Sequence, residues 1–511
     1  MITKTNGAAI YGVDANIISI EVNIVQGTNL YMVGLPDNAI KESQHRIESV
    51  LKYIKCEMPR QRVIVNLAPA DVKKEGASYD LPIALAILQA SHQKPLLNLG
   101  KYVILGELSL DGFLRPIKGV LPIAVAAKRS GITGFILPKD NASEAAIVNG
   151  IDVFPVNHIN DAIDFLSGVS GIDPVKIDAT ELINRPPELY DLDFADVQGQ
   201  ENVKRALEIA AAGGHNLIMI GSPGAGKTML AKRISSILPP LTLNEALETT
   251  KIYSVVGKLH AGNLMTSRPF RAPHHTISDV ALIGGGTIPQ PGEISLAHNG
   301  VLFLDELPEF MRSVLEVMRQ PLEERKVTIS RTKMSVDFPA NFMLIASMNP
   351  CPCGYYNHPT KSCVCPNGAV QKYLNKVSGP LLDRIDLHIQ VTPVSFDSIS
   401  AKRKGESSRT IQERVIAARQ IQLRRFEKFD SVYTNSMMPS NMVKDMCEVS
   451  STGNLLIKNA MERLGLSARA YSRILKVART IADLSGEVNI TETHISEAIH
   501  YRSLDRSSWG N

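Results

Sequence analysis

The amino-acid sequence predicts an α/β protein of several domains, and three observations carry that prediction. Short β-branched runs alternate with helical patterns over residues 1–170. A glycine-rich loop separates an apolar run from a helical stretch within 216–238. Long helical patterns with no convincing strand fill the chain beyond residue 394. The length of 511 residues, at roughly 150 residues per domain, indicates about three domains.

Composition excludes several classes of protein. A hydrophobic fraction of 44% with 21% charged residues is ordinary for a globular chain and argues against disorder. No apolar run approaches the ~18 residues that a membrane span needs, and the N-terminus lacks a secretory pattern. Six cysteines are too few for a disulfide framework. We therefore expect a cytoplasmic protein that does not span a membrane.

Four segments follow one another along the chain. Residues 1–170 read as an α/β domain, and residues 171–190, with three prolines and no core-like periodicity, read as a linker. Residues 191–393 alternate apolar strands with helices, as in a parallel sheet covered by helices. Residues 394–511 read as a C-terminal helical domain.

The strongest motif fits GxxxxGK[ST] and has the strand–loop–helix context that a phosphate-binding loop requires. Backbone N–H groups of such a loop surround phosphates, its lysine reaches the terminal phosphates, and its hydroxyl binds Mg²⁺. The sequence thus predicts binding of ATP and Mg²⁺. The predicted nucleotide-binding residues are Gly221, Ser222, Pro223, Gly224, Ala225, Gly226, Lys227 and Thr228.

Further polar residues follow predicted strands, where α/β sheets place their ligands. The run at 301–304 ends in Asp305, expected to hold Mg²⁺, and Glu306, expected to polarise the attacking water. The strand at 342–349 ends in Asn349, which could position that water, although asparagine often closes a strand without any role.

Two arginines are candidates for contact with the nucleotide. Arg384 lies between two acids, which indicates either a local salt bridge or, in a ring-forming ATPase, an arginine finger for the neighbouring subunit. Arg469 opens a basic helix late in the chain and could close over the nucleotide from the lid.

This ordered set of motifs resembles the AAA+ ATPases of the magnesium-chelatase group, over nearly the whole chain. The segments at 193–216, 268–286, 291–310 and 466–484 are similar to the YifB/ComM family in particular. The resemblance implies a P-loop AAA+ core with a helical lid, with Asn349 as sensor 1, Arg384 as arginine finger and Arg469 as sensor 2. It also implies a hexameric DNA branch-migration helicase associated with natural transformation.

Two insertions fit a motor that engages DNA. The chain between Thr228 and Asp305 is far longer than a minimal βαβ unit of about 30 residues allows. Residues 327–338 alternate apolar and polar side chains around a turn, which predicts a β-hairpin with Arg331 and Lys333 at its tip. These two cations could grip DNA phosphates, and a solvated turn is the alternative.

Basic residues concentrate in two helical segments. Residues 401–430 hold nine Lys/Arg against four acids, and residues 457–480 hold six against one. Either a solvated helix face or a phosphate-facing surface would account for these charges.

The N-terminal domain resembles the proteolytic domain of Lon, a ribosomal S5 domain 2-like fold. Residues 69–88 match the segment that carries the nucleophile of Lon, with Ser78 at the serine position. Residues 106–132 match the segment with the catalytic lysine, but Ile123 stands at that position and Lys118 does not align. A serine without its base is a poor nucleophile, so we expect a degenerate, non-proteolytic domain.

Four of the six cysteines lie within fifteen positions, as two CxC pairs in a loop with glycine and proline. They are Cys351, Cys353, Cys363 and Cys365. In a cytoplasmic chain this cluster favours a tetrahedral zinc site, although CxC is tighter than the usual CxxC spacing. By contrast, His274 and His275 are adjacent, point apart and lack a third ligand, so they do not indicate a metal site.

The interpretation that unites these features is an ATP-hydrolysing ring motor that acts on DNA without sequence preference. The alternative is a chelatase-like or chaperone-like ATPase that remodels a protein and does not act on DNA. An ATP-dependent protease is disfavoured by Ile123.

Overall fold

The computed structural model describes residues 2–184, 192–259, 264–286, 289–331, 334–358, 360–394, 405–429 and 432–502. The chain forms two compact units, the first of Met1–Pro186 with Thr242–Thr266 and the second of Pro187–Leu241 with Ser267–Asn511. Within the described ranges, no helix has the length and apolar character needed to cross a membrane. Helices and strands are numbered along the chain.

The first unit is built on a mixed seven-stranded sheet of order β3-β4-β2-β1-β5-β8-β9. Its long strands alternate buried and exposed side chains, because one face of the sheet packs on helices. The strands are β1 Ile2–Tyr11, β2 Asp14–Val25, β3 Leu30–Val33, β4 Arg62–Ala68, β5 Tyr102–Ile104, β8 Gly134–Pro138 and β9 Asp152–Val156, with β6 Glu107–Leu108 and β7 Leu114–Arg115 as a separate pair.

The described part of the first unit contains seven helices. Helix α2 is buried all round, in keeping with its continuous apolar sequence, whereas α1 buries one face and is capped by Asp37. The helices are α1 Asn38–Tyr53, α2 Asp80–Ala90, α3 Val120–Arg129, α4 Ala142–Ala146, α5 Ile159–Leu166, α6 Ala179–Asn184 and α9 Leu243–Val256. Helix α6 lies within the stretch that we interpreted as a linker.

Helix α9 belongs to the first unit although the phosphate-binding loop precedes it in the chain. A capping box between Thr242 and Glu245 starts the helix. Near its end, the Ser254 hydroxyl donates a hydrogen bond to the buried carboxylate of Glu144, which also accepts from the Leu121 N–H at 2.9 Å. The insertion after Thr228 therefore contributes a helix to the first unit.

The second unit contains a parallel five-stranded sheet of order β11-β14-β17-β10-β18. Its three central strands are fully buried, as expected for a parallel sheet with both faces covered. The strands are β10 Leu217–Gly221, β11 Phe270–Arg271, β14 Val301–Leu304, β17 Met343–Met348 and β18 Leu387–Val391. The apolar runs at 216–220, 301–304 and 342–349 are confirmed as strands.

Two antiparallel hairpins accompany this sheet, β12 Gly284–Gly285 with β13 Gln290–Pro291 and β15 Lys326–Arg331 with β16 Met334–Pro339. The second confirms the hairpin that the alternation at 327–338 predicts. Its ladder ends at the Arg331–Met334 pair, and Lys333 lies outside the described residues.

Helices cover the sheet and form the C-terminal domain. Helices α16 and α19 pack on α7, so the C-terminal domain and the sheet share one hydrophobic core. The helices are α7 Glu201–Gly213, α8 Lys227–Arg233, α10 Asp279–Ile283, α11 Glu293–Leu296, α12 Arg312–Val317, α13 Arg319–Glu324, α14 Ala369–Leu374, α15 Gly379–Leu382, α16 Ser408–Arg425, α17 Ser440–Met446, α18 Ser451–Leu464, α19 Ala468–Leu484 and α20 Glu492–His500.

Four of the fifteen basic residues in the two basic segments form ion pairs within the second unit. Arg414 binds Glu208 on α7, Arg473 binds Asp386 before β18, and Arg425 and Arg479 both bind Asp483. For these arginines the structure supports neither a solvated face nor a phosphate-facing surface, because each is paired with an acid within the second unit.

Candidate functional site

The predicted phosphate-binding loop lies between β10 and α8, at the carboxyl edge of the parallel sheet. Gly224 and Gly226 adopt φ values of +77° and +89°, which let the backbone curl around a central space. The side-chain hydroxyl of Ser222 is buried and has no hydrogen-bond partner among the described residues. A loop of this shape with an unsatisfied buried hydroxyl fits a phosphate group.

Lys227 is directed into this loop. Its ammonium donates to the carbonyls of Gly221 (2.7 Å) and Ser222 (3.0 Å) and to Oδ1 of Asn349 (3.0 Å). Burial lowers the pKa of Lys227, against the opposing effect of Asp305 and Glu306. All three acceptors are neutral oxygens, so an anionic phosphate would compensate the buried charge far better than they do.

Asp305 and Thr228 place two oxygen ligands side by side. The Thr228 hydroxyl donates to Oδ2 of Asp305 at 2.6 Å, and the Ser347 hydroxyl donates to Oδ1. Hydroxyl and carboxylate oxygens next to a phosphate loop are the donor set that Mg²⁺ prefers, so these residues fit that ion. Ser347 was missed by sequence reasoning, and its only signal is a hydroxyl within an apolar strand.

Glu306 lies beside this pair with a half-exposed side chain and a left-handed backbone (φ +53°). Oε2 of Glu306 is 3.6 Å from Nδ1 of His275, whose ring packs on that of His274 with centroids 4.1 Å apart. His275 is a second residue that sequence reasoning missed, because the histidine pair was considered only as a metal site.

A cavity of about 390 Å³ lies next to the phosphate loop, between the start of α7 and the edge strand β18. Gln390 and Val391 of β18 pair with Ile220 and Gly221 of β10, which brings the cavity to the start of the loop. Its lining combines apolar and amide side chains, which can contact a purine base, with the ionisable side chains of Glu201, His388 and His500. The other lining residues are Gln200, Asn202, Val203, Ile389, Gln390 and Thr392.

Arg384 lies at the opposite edge of the sheet, before the first residue of β18. It is buried, and its guanidinium donates to the Pro380 carbonyl at 2.7 Å and pairs with Glu323 at 2.6 Å. The structure therefore places Arg384 apart from the phosphate loop of its own chain.

Arg469 is exposed on the first turn of α19. One turn further along, Arg473 donates to the Arg384 carbonyl (3.0 Å) and to Asp386, and Thr480 bonds to His215 at 2.8 Å. His215 and Asp386 both precede strands, so α19 runs along the amino edge of the sheet. Arg469 is thus not brought together with Lys227, Asp305 or Asn349.

The two hairpins of the second unit lie against each other. A Cβ atom built on Gly284 would come within 2.9 Å of Ile329, and one on Gly285 within 3.4 Å of the Arg331 guanidinium. Arg331 is exposed at the end of its ladder. One basic, solvent-facing element thus combines parts of both predicted insertions.

The four clustered cysteines converge directly after Asn349. Their sulfur atoms all lie within 4.8 Å of one another, and Cys351 is fully buried. The described residues contain no other group of three or more metal-ligating side chains.

In the first unit, Ser78 lies in a single 3₁₀ turn, Ala77–Tyr79. Ile123 is buried in α3, so hydrocarbon occupies the position where a lysine would be needed. The buried ammonium of Lys74 donates to the carbonyls of Gly34 (2.9 Å) and Pro69. Because its ammonium is bound to these two backbone carbonyls, Lys74 holds loops together and is not directed to Ser78 as a base.

A phosphate loop on a five-stranded parallel sheet, with two insert hairpins and a helical C-terminal domain, defines a magnesium-chelatase-like AAA+ protein. Residues 193–399 match the family described as magnesium chelatase, subunit ChlI; residues 405–502 match its C-terminal part, and residues 20–141 match subunit ChlI of Mg-chelatase. The chain belongs to the YifB/ComM family of these proteins. The predicted fold, an AAA+ core and lid preceded by a Lon-like α/β domain, is confirmed.

Relatives align over nearly the whole chain. Uncharacterized protein YifB of Escherichia coli (strain K12) is 44% identical over 503 residues, which cover 98% of this chain and 96% of that protein. Competence protein ComM of Haemophilus influenzae is 44% identical over 501 residues, 97% of this chain and 96% of its own. Lon protease 2 of Bacillus subtilis is 27% identical over 178 residues, 31% and 32% of the two chains.

Proposed function

We propose that this protein is an ATP-hydrolysing, hexameric ring motor that moves branched DNA, and that it acts in the cytoplasm during natural transformation. The observation that carries the ATPase part is the convergence of Lys227, Asn349, Thr228 and Asp305 on one phosphate loop. The name of the 44% identical competence protein supports the setting.

The chemistry follows from the positions of these side chains. Lys227 and the loop N–H groups bind the terminal phosphates, while Thr228 and Asp305 hold Mg²⁺, which neutralises phosphate charge when bound. Glu306 accepts a proton from the attacking water, and Asn349 orients that water. The cavity beside β18 takes the adenine base.

The amino-edge position of Arg384 supports a ring. Strand β18 has five residues, so its two ends lie roughly 13 Å apart at about 3.3 Å per residue. An arginine at one end cannot reach a γ-phosphate at the other, so a role for Arg384 at a nucleotide requires an adjacent subunit, whose phosphate would replace Glu323 as its partner. We propose the same trans role for Arg469, in place of closure over its own nucleotide.

DNA contact is assigned to the paired hairpins. With several arginines of 401–430 and 457–480 committed to internal ion pairs, Arg331 and Lys333 become the main candidates for phosphate contacts. Phosphate contacts carry no sequence information, as a motor that travels along any DNA requires.

The protein-remodelling alternative has two specific supports. Four arginines of the basic segments are used in internal ion pairs, which reduces the positive surface that a DNA motor would display. In addition, part of the chain is similar to Lon protease. The same nucleotide chemistry applies to both functions.

Zn²⁺ at the four cysteines completes the proposed ligands, beside ATP and Mg²⁺. Cytoplasmic thiols stay reduced, and four sulfur donors select zinc over Mg²⁺ or Ca²⁺.

Migration of a four-strand DNA junction by the full chain tests the DNA proposal. We expect ATP to drive migration and a non-hydrolysable analogue not to, with binding that weakens steeply as salt rises. Lys227→Ala should weaken ATP binding. Arg331→Ala with Lys333→Ala should spare hydrolysis and stop migration.

The matched control is Lys326→Ala, which removes an exposed lysine from the base of the same hairpin, where it pairs with Asp337 at 2.8 Å. It should migrate junctions at close to the normal rate. A protein that hydrolyses ATP yet neither binds nor moves junctions at low salt would refute the DNA proposal and favour protein remodelling.

A further inference from the structure

The segment between β17 and α14 is a long loop without an apolar core. The described residues of 350–368 contain no helix or strand, and half of them are exposed, Val364 by 80%. Among them only Pro350, Cys351 and Gly354 are buried. A loop of this length cannot be ordered by hydrophobic burial, so it needs a cross-link of another kind.

The sulfur atoms have the spacing of a metal site. Cys353 is 3.3 Å from Cys351 and 3.5 Å from Cys363, and Cys351 is 3.8 Å from Cys363, between sulfur atoms. Four Zn–S bonds of about 2.3 Å in a tetrahedron place sulfurs about 3.8 Å apart, whereas a disulfide needs about 2.05 Å. All four cysteines are free thiols.

The surroundings also suit thiolates. The Tyr356 N–H donates to the Cys351 sulfur at 3.3 Å, the kind of contact that orients a metal-bound ligand. Residues 350–368 contain one lysine, Lys361, and no acid, so sulfur is the only anionic donor of the loop.

The same loop touches the nucleotide site at two points. Asn349, which accepts a hydrogen bond from Lys227 at 3.0 Å, is two residues before the buried Cys351. At the second point, a Cβ atom built on Gly354 would lie 2.4 Å from Cδ of Pro223, so the backbone of Gly354 packs directly on the phosphate loop.

We infer that the cysteine knuckle, residues 351–358 and 360–365 closed around one Zn²⁺, is a wall of the ATP site whose metal occupancy sets the rate of ATP hydrolysis. The metal fixes Cys351 and Gly354, and these fix Asn349 and Pro223. The inference rests on the proposed ATPase and adds a requirement for zinc in the positioning of its phosphate-binding residues.

Zinc content and ATP turnover of the full-length protein test this together. Protein purified without added metal should contain one zinc per chain by elemental analysis. Cys353→Ser with Cys363→Ser should contain almost none and should show kcat lowered by on the order of tenfold or more. Cys56→Ser removes a cysteine of the first unit and should match the unaltered protein in both measurements.

A second pair of variants distinguishes the effect of losing zinc from the effect of disturbing the packing of Gly354 on Pro223. Gly354→Ala keeps all four cysteines, so it should retain zinc, but its new methyl group collides with Pro223 and should lower kcat. Val364→Ala alters an exposed side chain between two ligands and should change neither zinc content nor kcat. Hydrogen exchange at 221–228 and 343–349 gives a readout independent of turnover, and it should rise when zinc is removed by chelation.

Each result has a distinct meaning. A zinc content near zero in the unaltered protein overturns the metal site. If zinc can be removed without any change in hydrogen exchange at 221–228, the knuckle does not act as a wall of the ATP site, even if ATP hydrolysis is intact. A third result is a protein that binds zinc and whose hydrogen exchange at 221–228 depends on zinc, but that does not hydrolyse ATP. That result refutes the proposed function and still supports the link between the knuckle and the phosphate loop.

Discussion

At the scale of single residues, Glu306 combines backbone strain with a specific neighbour. Its left-handed conformation is uncommon for a residue with a side chain, and such strain persists where the surrounding structure fixes it. The His275 ring, 3.6 Å from the carboxylate, is placed to hold Glu306 in the direction that the attacking water needs. We therefore treat His275 as a positioning residue for the proposed base.

Replacing His275 should affect turnover more than substrate binding. We expect His275→Ala to lower kcat for ATP roughly tenfold, about 1.4 kcal/mol in activation free energy, with little change in KM. His275→Gln keeps a donor and should recover part of the loss. Steady-state ATPase kinetics measures both.

The neighbouring histidine provides the control. His274 bonds to Thr276 at 2.9 Å, so His274→Ala should cost less than His275→Ala. Equal losses in the two variants, or a change in KM alone, would contradict the positioning role.

At the scale of helices and strands, local hydrophobic patterns predicted the elements whose formation depends on neighbouring residues in the sequence. The buried strands β10, β14 and β17 follow from continuous apolar runs, and the β15–β16 hairpin follows from strict alternation. Helix α9 lies within the insertion after Thr228, and its own sequence contains nothing that says which unit the helix joins. That choice depends on contacts such as Ser254 with Glu144, far apart in sequence.

The basic segments show the same limit. Arg473 and Arg479 look like a cationic helix face in sequence because their partners are distant or lie just beyond the segment. Asp386 is remote from Arg473 along the chain, and Asp483, the partner of Arg479, lies just after the basic segment 457–480. Charge along a helix therefore could not be assigned to solvent, DNA or core before the fold was known.

The pair of Asp386 and Arg473 should make a large contribution to the stability of the second unit. Burial alone would raise the pKa of Asp386, but Arg473 and His215 outweigh it and hold that pKa well below its usual range. We expect Asp386→Asn to destabilise α19 against β18 by about 3–5 kcal/mol, because it leaves the partly buried Arg473 guanidinium without its anion. Hydrogen exchange within 468–484 at neutral pH measures this local free energy.

The pH dependence follows from the sign of this shift. A lowered folded-state pKa stabilises the fold above the unfolded value of about 3.9, and the stabilisation is lost as pH falls toward the folded value. The difference between the unaltered protein and Asp386→Asn should therefore shrink below about pH 4. Arg409→Ala, which breaks an exposed pair with Glu413, should leave exchange within 468–484 unchanged, and an equal effect there would argue against the Asp386 pair.

At the scale of the whole molecule, the candidate residues lie at two edges of one sheet. The motifs predict candidates for catalysis, but they do not indicate which subunit's nucleotide each candidate could contact, since that depends on the sheet edge where it lies. The fold places Lys227 and Asn349 at the carboxyl edge, and Arg384 with the first turn of α19 at the amino edge. A second copy that brings its amino edge to this carboxyl edge would supply what the first lacks.

Mixtures of inactive subunits test this arrangement. Glu306→Gln and Arg384→Ala should each abolish hydrolysis alone, the first through the base and the second through the charge that stabilises the transition state. When the two are mixed, an Arg384→Ala subunit keeps its own base and can receive an arginine from a Glu306→Gln neighbour, so ATPase activity should return at those interfaces. Arg469→Ala mixed with Glu306→Gln should recover for the same reason. Lys227→Ala mixed with Glu306→Gln is the matched control, because both lesions lie in the subunit's own site and no interface becomes complete. Native mass spectrometry verifies that mixed rings form.

Two outcomes would contradict the arrangement. If mixed rings of Arg384→Ala and Glu306→Gln stay as inactive as the control, Arg384 does not act on the neighbouring nucleotide. If only the Arg469→Ala mixture stays inactive, Arg469 serves its own subunit.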